Sequence, residues 1–352
     1  MKLPQLTIGD LTARIPIVQG GMGVGVSLSS LAGAVAKAGG IGTISGVQIG
    51  FREPDFEKDP LTANLRAIGK EIARAREIAP QGIIGMNFMT VMRHYDEYVR
   101  EAVKNGIDFI VSGAGLPLHL PKLVEGSRTK IIPIVSSARA CKLILRSWKK
   151  LGRLPDAVVV EGPLAGGHLG FKFQDVIDNT METLESALQE VKALITETEQ
   201  KEGVTIPVIA GGGISTHEDV KRMFELGANG VQVGTRFVAT VECDACPAFK
   251  NTYLNAKPED IRIIKSPVGL AARGINNEFM QHTYATDRVP VRHCYGCLTT
   301  CDPATTHYCI SRALIDSVTD GNGLVFSGAR AGELTELTTV PALMHELAPD
   351  NI

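Results

Sequence analysis

The chain has 352 residues, 44% hydrophobic and 21% charged, long enough to bury a large core and too apolar to be mainly disordered. Thirty-six basic and 38 acidic residues give a formal charge of -2, so no global field draws it to a phosphate backbone or an anionic bilayer. The first residues lack the apolar core of a signal peptide, and no segment approaches about 18 unbroken apolar residues, which predicts a cytoplasmic protein with neither nucleic acid nor membrane as partner.

Short β-branched runs alternate with stretches long enough for helices, the pattern of parallel βα units. In chain order, strands are predicted at residues 15–19, 41–45, 82–88, 107–112, 130–135, 156–160, 206–210 and 230–234. Helices are predicted between them at 29–38, 61–78, 96–104, 138–151, 176–199 and 216–226. Eight such units match a closed (β/α)8 TIM barrel, an α/β fold. A doubly wound sheet is the alternative, weakened because no GxGxxG follows the first strand.

In a barrel the C-terminal ends of the strands form the active-site face. Here they read Gln19-Gly20-Gly21-Met22, Ser45-Gly46, Asn87, Ser112-Gly113, Ser136-Ser137, a loop from Glu161 through Gly167 to His168, Gly211-Gly212-Gly213, and Gly234-Thr235. Glycines and small polar residues let backbone approach a sizeable ligand, where a filled core would show large apolar side chains. The glycines after the seventh strand, with Gly234, Thr235 and Arg236 after the eighth, free N–H groups for an anion at the usual phosphate position of such barrels. His168, behind two glycines, is the candidate catalytic residue because imidazole can take or give a proton near neutral pH. Its alternative is structural, a histidine that bonds a loop carbonyl and shapes a lid.

The stretches PIVQGGMG (16–23), GMNF (85–88), SGAGLP (112–117), AGGHLG (165–170), PVIAGGGI (207–214), GVQVGTRF (230–237) and SPVGLAARGI (266–275) carry a family resemblance. In content and order they are similar to the FMN-dependent nitronate monooxygenases, once called 2-nitropropane dioxygenases, and to their relatives the FabK-type enoyl-ACP reductases. The resemblance covers most of residues 10–280. It implies that the backbone of Gln19, Gly20, Gly21 and Met22 and the residue Asn87 meet the isoalloxazine, and that Lys130 or a neighbour reaches the flavin. Glu161, Gly167 and Gly211 would belong to the cofactor site, Gly212, Gly213, Gly234 and Thr235 would hold the phosphate, and His168 would face a small-molecule substrate stacked on the ring. The implied reaction is oxidation of an alkyl nitronate by O2 to a carbonyl compound and nitrite. Alternatives are enoyl-ACP or quinone reduction with NAD(P)H as electron donor and, outside catalysis, a flavin-binding regulatory protein. A nucleotide-oxidising barrel of the IMP dehydrogenase type is disfavoured, because the loop after the sixth strand has no cysteine. A homodimer is the assembly to test.

Residues 1–240 are therefore predicted to form the FMN barrel, and 241–352 a substrate-side insertion and cysteine-containing C-terminal extension packed on it. Within the latter, Cys294, Cys297, Cys301 and Cys309 are spaced C-x2-C-x3-C-x7-C. Four thiolates so close in sequence suit a [4Fe-4S] cluster or a tetrahedral zinc, and metal-free packing thiols are the third possibility. The spacing of the first three cysteines looks like that of cluster-bearing flavin enoate reductases, and the last gap differs. Seven cysteines in all, an odd number, suit a reducing compartment better than a disulfide framework. Cys243 and Cys246 read as a helix start and Cys141 as core. Tyr284, His293 and His307 are candidates either for the pocket or for ordinary surface and core roles.

Overall fold

The computed structural model describes residues 2–351. Its centre is a closed barrel of eight strands, Ile17–Gln19, Ile41–Ser45, Ile83–Met89, Phe109–Gly113, Lys130–Val135, Val158–Glu161, Val208–Gly211 and Gly230–Val233, in sequence order round the ring. All neighbours are parallel, and the ring closes where the eighth strand meets the first, with Val231 opposite Ile17. Ring closure excludes the open doubly wound sheet.

Alternation along the strands builds two apolar layers. Ile84, Met86 and Phe88 of the third strand join the cluster shared with the surrounding helices, whereas Ile83, Phe109, Val111, Ile132, Val159 and Ile209 fill the barrel interior. An N-terminal hairpin, Leu6–Ile8 with Leu11–Ala13, adds Leu6 and Ile8 to that interior cluster and so plugs the bottom of the barrel. Only the opposite end is left for a ligand.

Two expectations change. The helix expected over 176–199 is two helices, Phe173–Ile177 and Leu184–Glu202. Asn179 at φ 53° turns the chain between them, and Thr183 caps the second through the Ser186 N–H. Asn tolerates the left-handed region and Thr is a good N-cap, so these local signals override the apolar periodicity.

The split at residue 240 also changes. Helix Val340–Leu347 lies against helices Ser29–Lys37 and His217–Glu225, burying Val340, Leu343, Met344 and Leu347 in the main barrel cluster. Asn351 then ties the C-terminal region to the start of the chain, its side chain accepting from Leu3 N and donating to Leu3 O, each at 2.9 Å. The last helix therefore completes the barrel's helical ring, and residues 241–339 are inserted between the eighth strand and that helix. The insertion holds helix Pro247–Asn255, the hairpin Ile261–Lys265 with Ala271–Ile275, and helices Glu278–Ala285 and Ile310–Thr319.

Candidate active site

A cavity opens at the C-terminal end of the barrel. The centre of a water molecule can occupy about 250 Å³ of it, a measure that leaves out a shell one water radius thick, so the room for ligand atoms is larger. Gly20, Gly21, Met22, Ser45, Asn87, Glu161 and the 164–168 loop form the barrel side of its wall. The insertion supplies the other side with Tyr253, Leu314, Ser317, Val318 and residues 326–330. Few of these insertion residues carry a motif, which is why sequence reasoning missed them.

The loop after the sixth strand is tied to the insertion. Gly167–His168 pairs as a short strand with the hairpin, His168 opposite Ala272, and Arg273 of that hairpin donates to Ala165 O. At Gly166 the two backbones touch, since a Cβ there would lie 2.6 Å from Gly328 N, so glycine is required by close approach. His168 Nε2 is 2.8 Å from Ser266 Oγ, and its ring meets Phe326 edge-on at 5.0 Å. Nδ1 has no hydrogen-bond partner among the described residues. When Nε2–H donates to Ser266, Nδ1 carries the lone pair of a base.

His168 is half-buried in the cavity wall, and the protein packed round it desolvates the ring. Burial pushes its pKa down to about 4, so the ring is neutral at pH 7. The same burial pushes the Glu161 carboxyl up to about 7. If Ser266 sets the imidazole's orientation, Ser266→Ala should lower kcat by roughly 5- to 10-fold, the value of one hydrogen bond. The acid limb of the pH–rate profile should move while flavin content stays the same. An unchanged kcat and pH profile would show that the hydroxyl positions nothing.

The cavity wall also contains Gly212, Gly213, Ser215, Gly234 and Thr235. Gly212 and Gly213 have φ of 101° and 85°, conformations that favour glycine. Gly234 precedes a four-residue helix, Thr235–Val238, an arrangement common at barrel phosphate sites. Arg330, also in the wall, is held by Asp219 at 2.5 Å, whereas Arg236 turns away to Ser215 O and Glu346. The basic group beside the phosphate loops is thus Arg330, from the insertion.

These residues fit FMN. The glycine loops at 212–213 and 234–235 with Arg330 suit a phosphate, and the apolar wall with glycine on the barrel side suits a flat ring. Two wall residues, Ser45 and Ser327, carry buried hydroxyls without a partner among the described residues, as expected of groups that meet a polar ligand.

Most of the expected site residues come together here, and three do not line the cavity. Gln19 is fully buried beneath it, accepting from Thr43 N at 3.0 Å and donating to Gly20 O, so it shapes the loop from below. Gly211 is the last residue of the seventh strand and also lies beneath the wall. Lys130 is a correction. It begins the fifth strand, at the plugged end, where its ammonium pairs with Asp10 at 2.6 Å. A side chain at a strand's start points to the end of the barrel away from the site.

The four clustered cysteines line a second, small cavity together with Arg93, Tyr295 and Thr306. Cys243 and Cys141 are buried, and Cys246 is the residue before helix Pro247–Asn255. Tyr284 and His293 are exposed, and His307 bonds Asp287 O and Thr283 O; none of the three lines the large cavity.

No helix among the described residues is long and apolar enough to cross a membrane. The family model of nitronate monooxygenase matches residues 5–350. A probable nitronate monooxygenase of Staphylococcus aureus (strain JH9) is 28% identical over 291 residues, covering 77% of this chain and 78% of that protein. Among solved structures, FabK from Thermotoga maritima superposes with a TM-score of 0.71 at 25% identity over 95% of this chain and 92% of that one. Nitroalkane oxidase from Streptomyces ansochromogenes shares the fold at a TM-score of 0.72 and 21% identity, with 96% of each chain covered. The match runs through barrel, insertion and closing helix alike, so the chain belongs to the nitronate monooxygenase family and is an FMN-dependent oxidoreductase.

Proposed function

We propose that this protein oxidises alkyl nitronates with O2, giving a carbonyl compound and nitrite, and that His168 is its acid–base residue. One observation carries the reading: a neutral imidazole, held by Ser266 through one nitrogen, stands in the cavity wall with no partner for its other nitrogen among the described residues. Bound FMN supplies the electron acceptor for the substrate and the site at which O2 is consumed. The glycine loops and Asn87 would hold the ring end, the 212–213 and 234–235 loops with Arg330 would hold the phosphate, and residues 326–330 would keep bulk water from the substrate. His168 Nδ1 takes the α-proton of a nitroalkane, forming the nitronate in place. When a preformed nitronate binds instead, its negative charge favours the protonated ring and raises the pKa back toward the ordinary value.

The sign of the pH dependence follows. A depressed imidazole pKa keeps the basic form present to lower pH, so kcat/KM for a neutral nitroalkane should stay level through pH 6 and fall only as pH drops toward about 4. A fall centred near the ordinary histidine value of about 6.5 would mean that water reaches the ring freely.

The likeness to FabK supports a second reading, reduction of an enoyl thioester with NAD(P)H as electron donor; quinone reduction would need the same donor. Assays with an alkyl nitronate, propionate 3-nitronate, crotonyl thioester plus NAD(P)H, and quinone plus NAD(P)H separate the three. Nitrite from nitronate without NAD(P)H is the expected result. Enoyl turnover without nitronate oxidation would replace the first reading by the second.

A further inference from the structure

We propose that Cys294, Cys297, Cys301 and Cys309 ligate one [4Fe-4S] cluster, set at the outer end of the helix whose other end walls the flavin cavity. The four thiols are free and face one cavity, in which the centre of a water molecule can occupy about 20 Å³. One of their sulfurs already receives a donor, since Gly296 N–H lies 3.4 Å from Cys294 Sγ. Hydrogen bonds to ligand sulfur are a standard feature of iron–sulfur sites, and Arg93 in the same wall offsets the negative charge of a four-thiolate cluster.

The surrounding chain packs Tyr295, Leu298 and Tyr308 into a small core but has little regular structure. Between helices Glu278–Ala285 and Ile310–Thr319 the described residues form no helix and no named strand. Turns at Asp302, the Val289 N to His307 O bond and one isolated bridge, Met92 to Leu298, hold the segment. A ligated centre would join its three loops at one point.

A cluster and a single ion place different demands on four thiolates. Four thiolates on one zinc at about 2.3 Å stand roughly 3.8 Å from one another. A four-iron cluster takes one thiolate per iron, so its sulfurs stand farther apart while still facing a common centre. The centre would not be remote from the flavin. Cys309 immediately precedes helix Ile310–Thr319, and Leu314, Ser317 and Val318 of that helix line the flavin cavity. At 1.5 Å rise per residue, Cys309 and Leu314 are separated by roughly 8 Å along the axis.

The test does not depend on the substrate of the enzyme. Full-length protein purified without oxygen, or reconstituted with ferrous iron and sulfide, is analysed for iron, acid-labile sulfide, zinc and FMN, and its dithionite-reduced form is examined by electron paramagnetic resonance. About four irons and four sulfides per chain are expected, with the signal of a reduced cluster. Cys297→Ser should lose both while keeping FMN, and Cys294→Ser, at the more exposed ligand, serves if the first variant does not fold. Stoichiometric zinc, or less than about one iron per chain after reconstitution, or a cysteine variant with undiminished iron, would overturn the proposal.

Discussion

His168→Asn is expected to bind FMN as the wild type does and to turn over a nitroalkane at least about 10²-fold more slowly, the usual scale for losing an acid–base group. Asparagine still offers polar atoms near Ser266, so the loop tie made by Gly167 and Ala272 to Arg273 has no reason to fail. What disappears is the nitrogen that accepts a proton. The comparison of two substrates sharpens the result: a preformed nitronate needs no proton abstraction, so its turnover should fall by less than that of the parent nitroalkane. Steady-state kinetics on both, with flavin content read from the visible spectrum, provides the check. Equal losses of flavin and activity would instead make His168 a residue that shapes the lid.

Gly212→Ala should deplete the protein of FMN. At φ 101° the new side chain is strained, and its Cβ would sit 3.0 Å from Gly162 O and 3.1 Å from Ala165 N. Strain of this kind costs on the order of 1–3 kcal/mol, relieved if the loop moves off its phosphate-holding position, which predicts roughly 5- to 150-fold weaker FMN binding. Gly203→Ala is the control. It has φ 68° at a helix end with nothing within 4 Å of the added carbon, so it should lower thermal stability modestly without changing the FMN Kd. If Gly212→Ala binds FMN as tightly as wild type in a fluorescence titration, the phosphate does not sit on this loop.

Legibility in the sequence followed the range of the interactions. The barrel strands are short, β-branched and buried on both faces, so local pattern alone marks all eight, and glycine clusters at their ends mark the mouth. Asn87, Glu161, His168, Gly212, Gly213, Gly234 and Thr235 are placed by those strands, and they meet in one cavity. Ser266, Phe326 and Arg330 are placed by the fold of the insertion on the barrel, across 98 residues for the His168 to Ser266 bond and 111 for the Arg330 to Asp219 bond. No short-range signal encodes such distances. A related cause misled the reading of Lys130, where a strand's first residue faces the opposite end of the barrel from its last, and that of residues 340–347, which read as part of a tail but carry the spaced apolar residues of a barrel helix.

The central claim is that nitronate, and no pyridine nucleotide, delivers electrons to the flavin of this protein. Nitrite release and O2 uptake measured with an alkyl nitronate as sole substrate, in air and without NAD(P)H, test it most directly. Sustained turnover is expected, with nitrite and carbonyl product formed together, and turnover of the parent nitroalkane should fall at least about 10²-fold in His168→Asn. A flavin that stays idle with every nitronate offered, yet is reduced by NAD(P)H and then turns over an enoyl thioester, would contradict it.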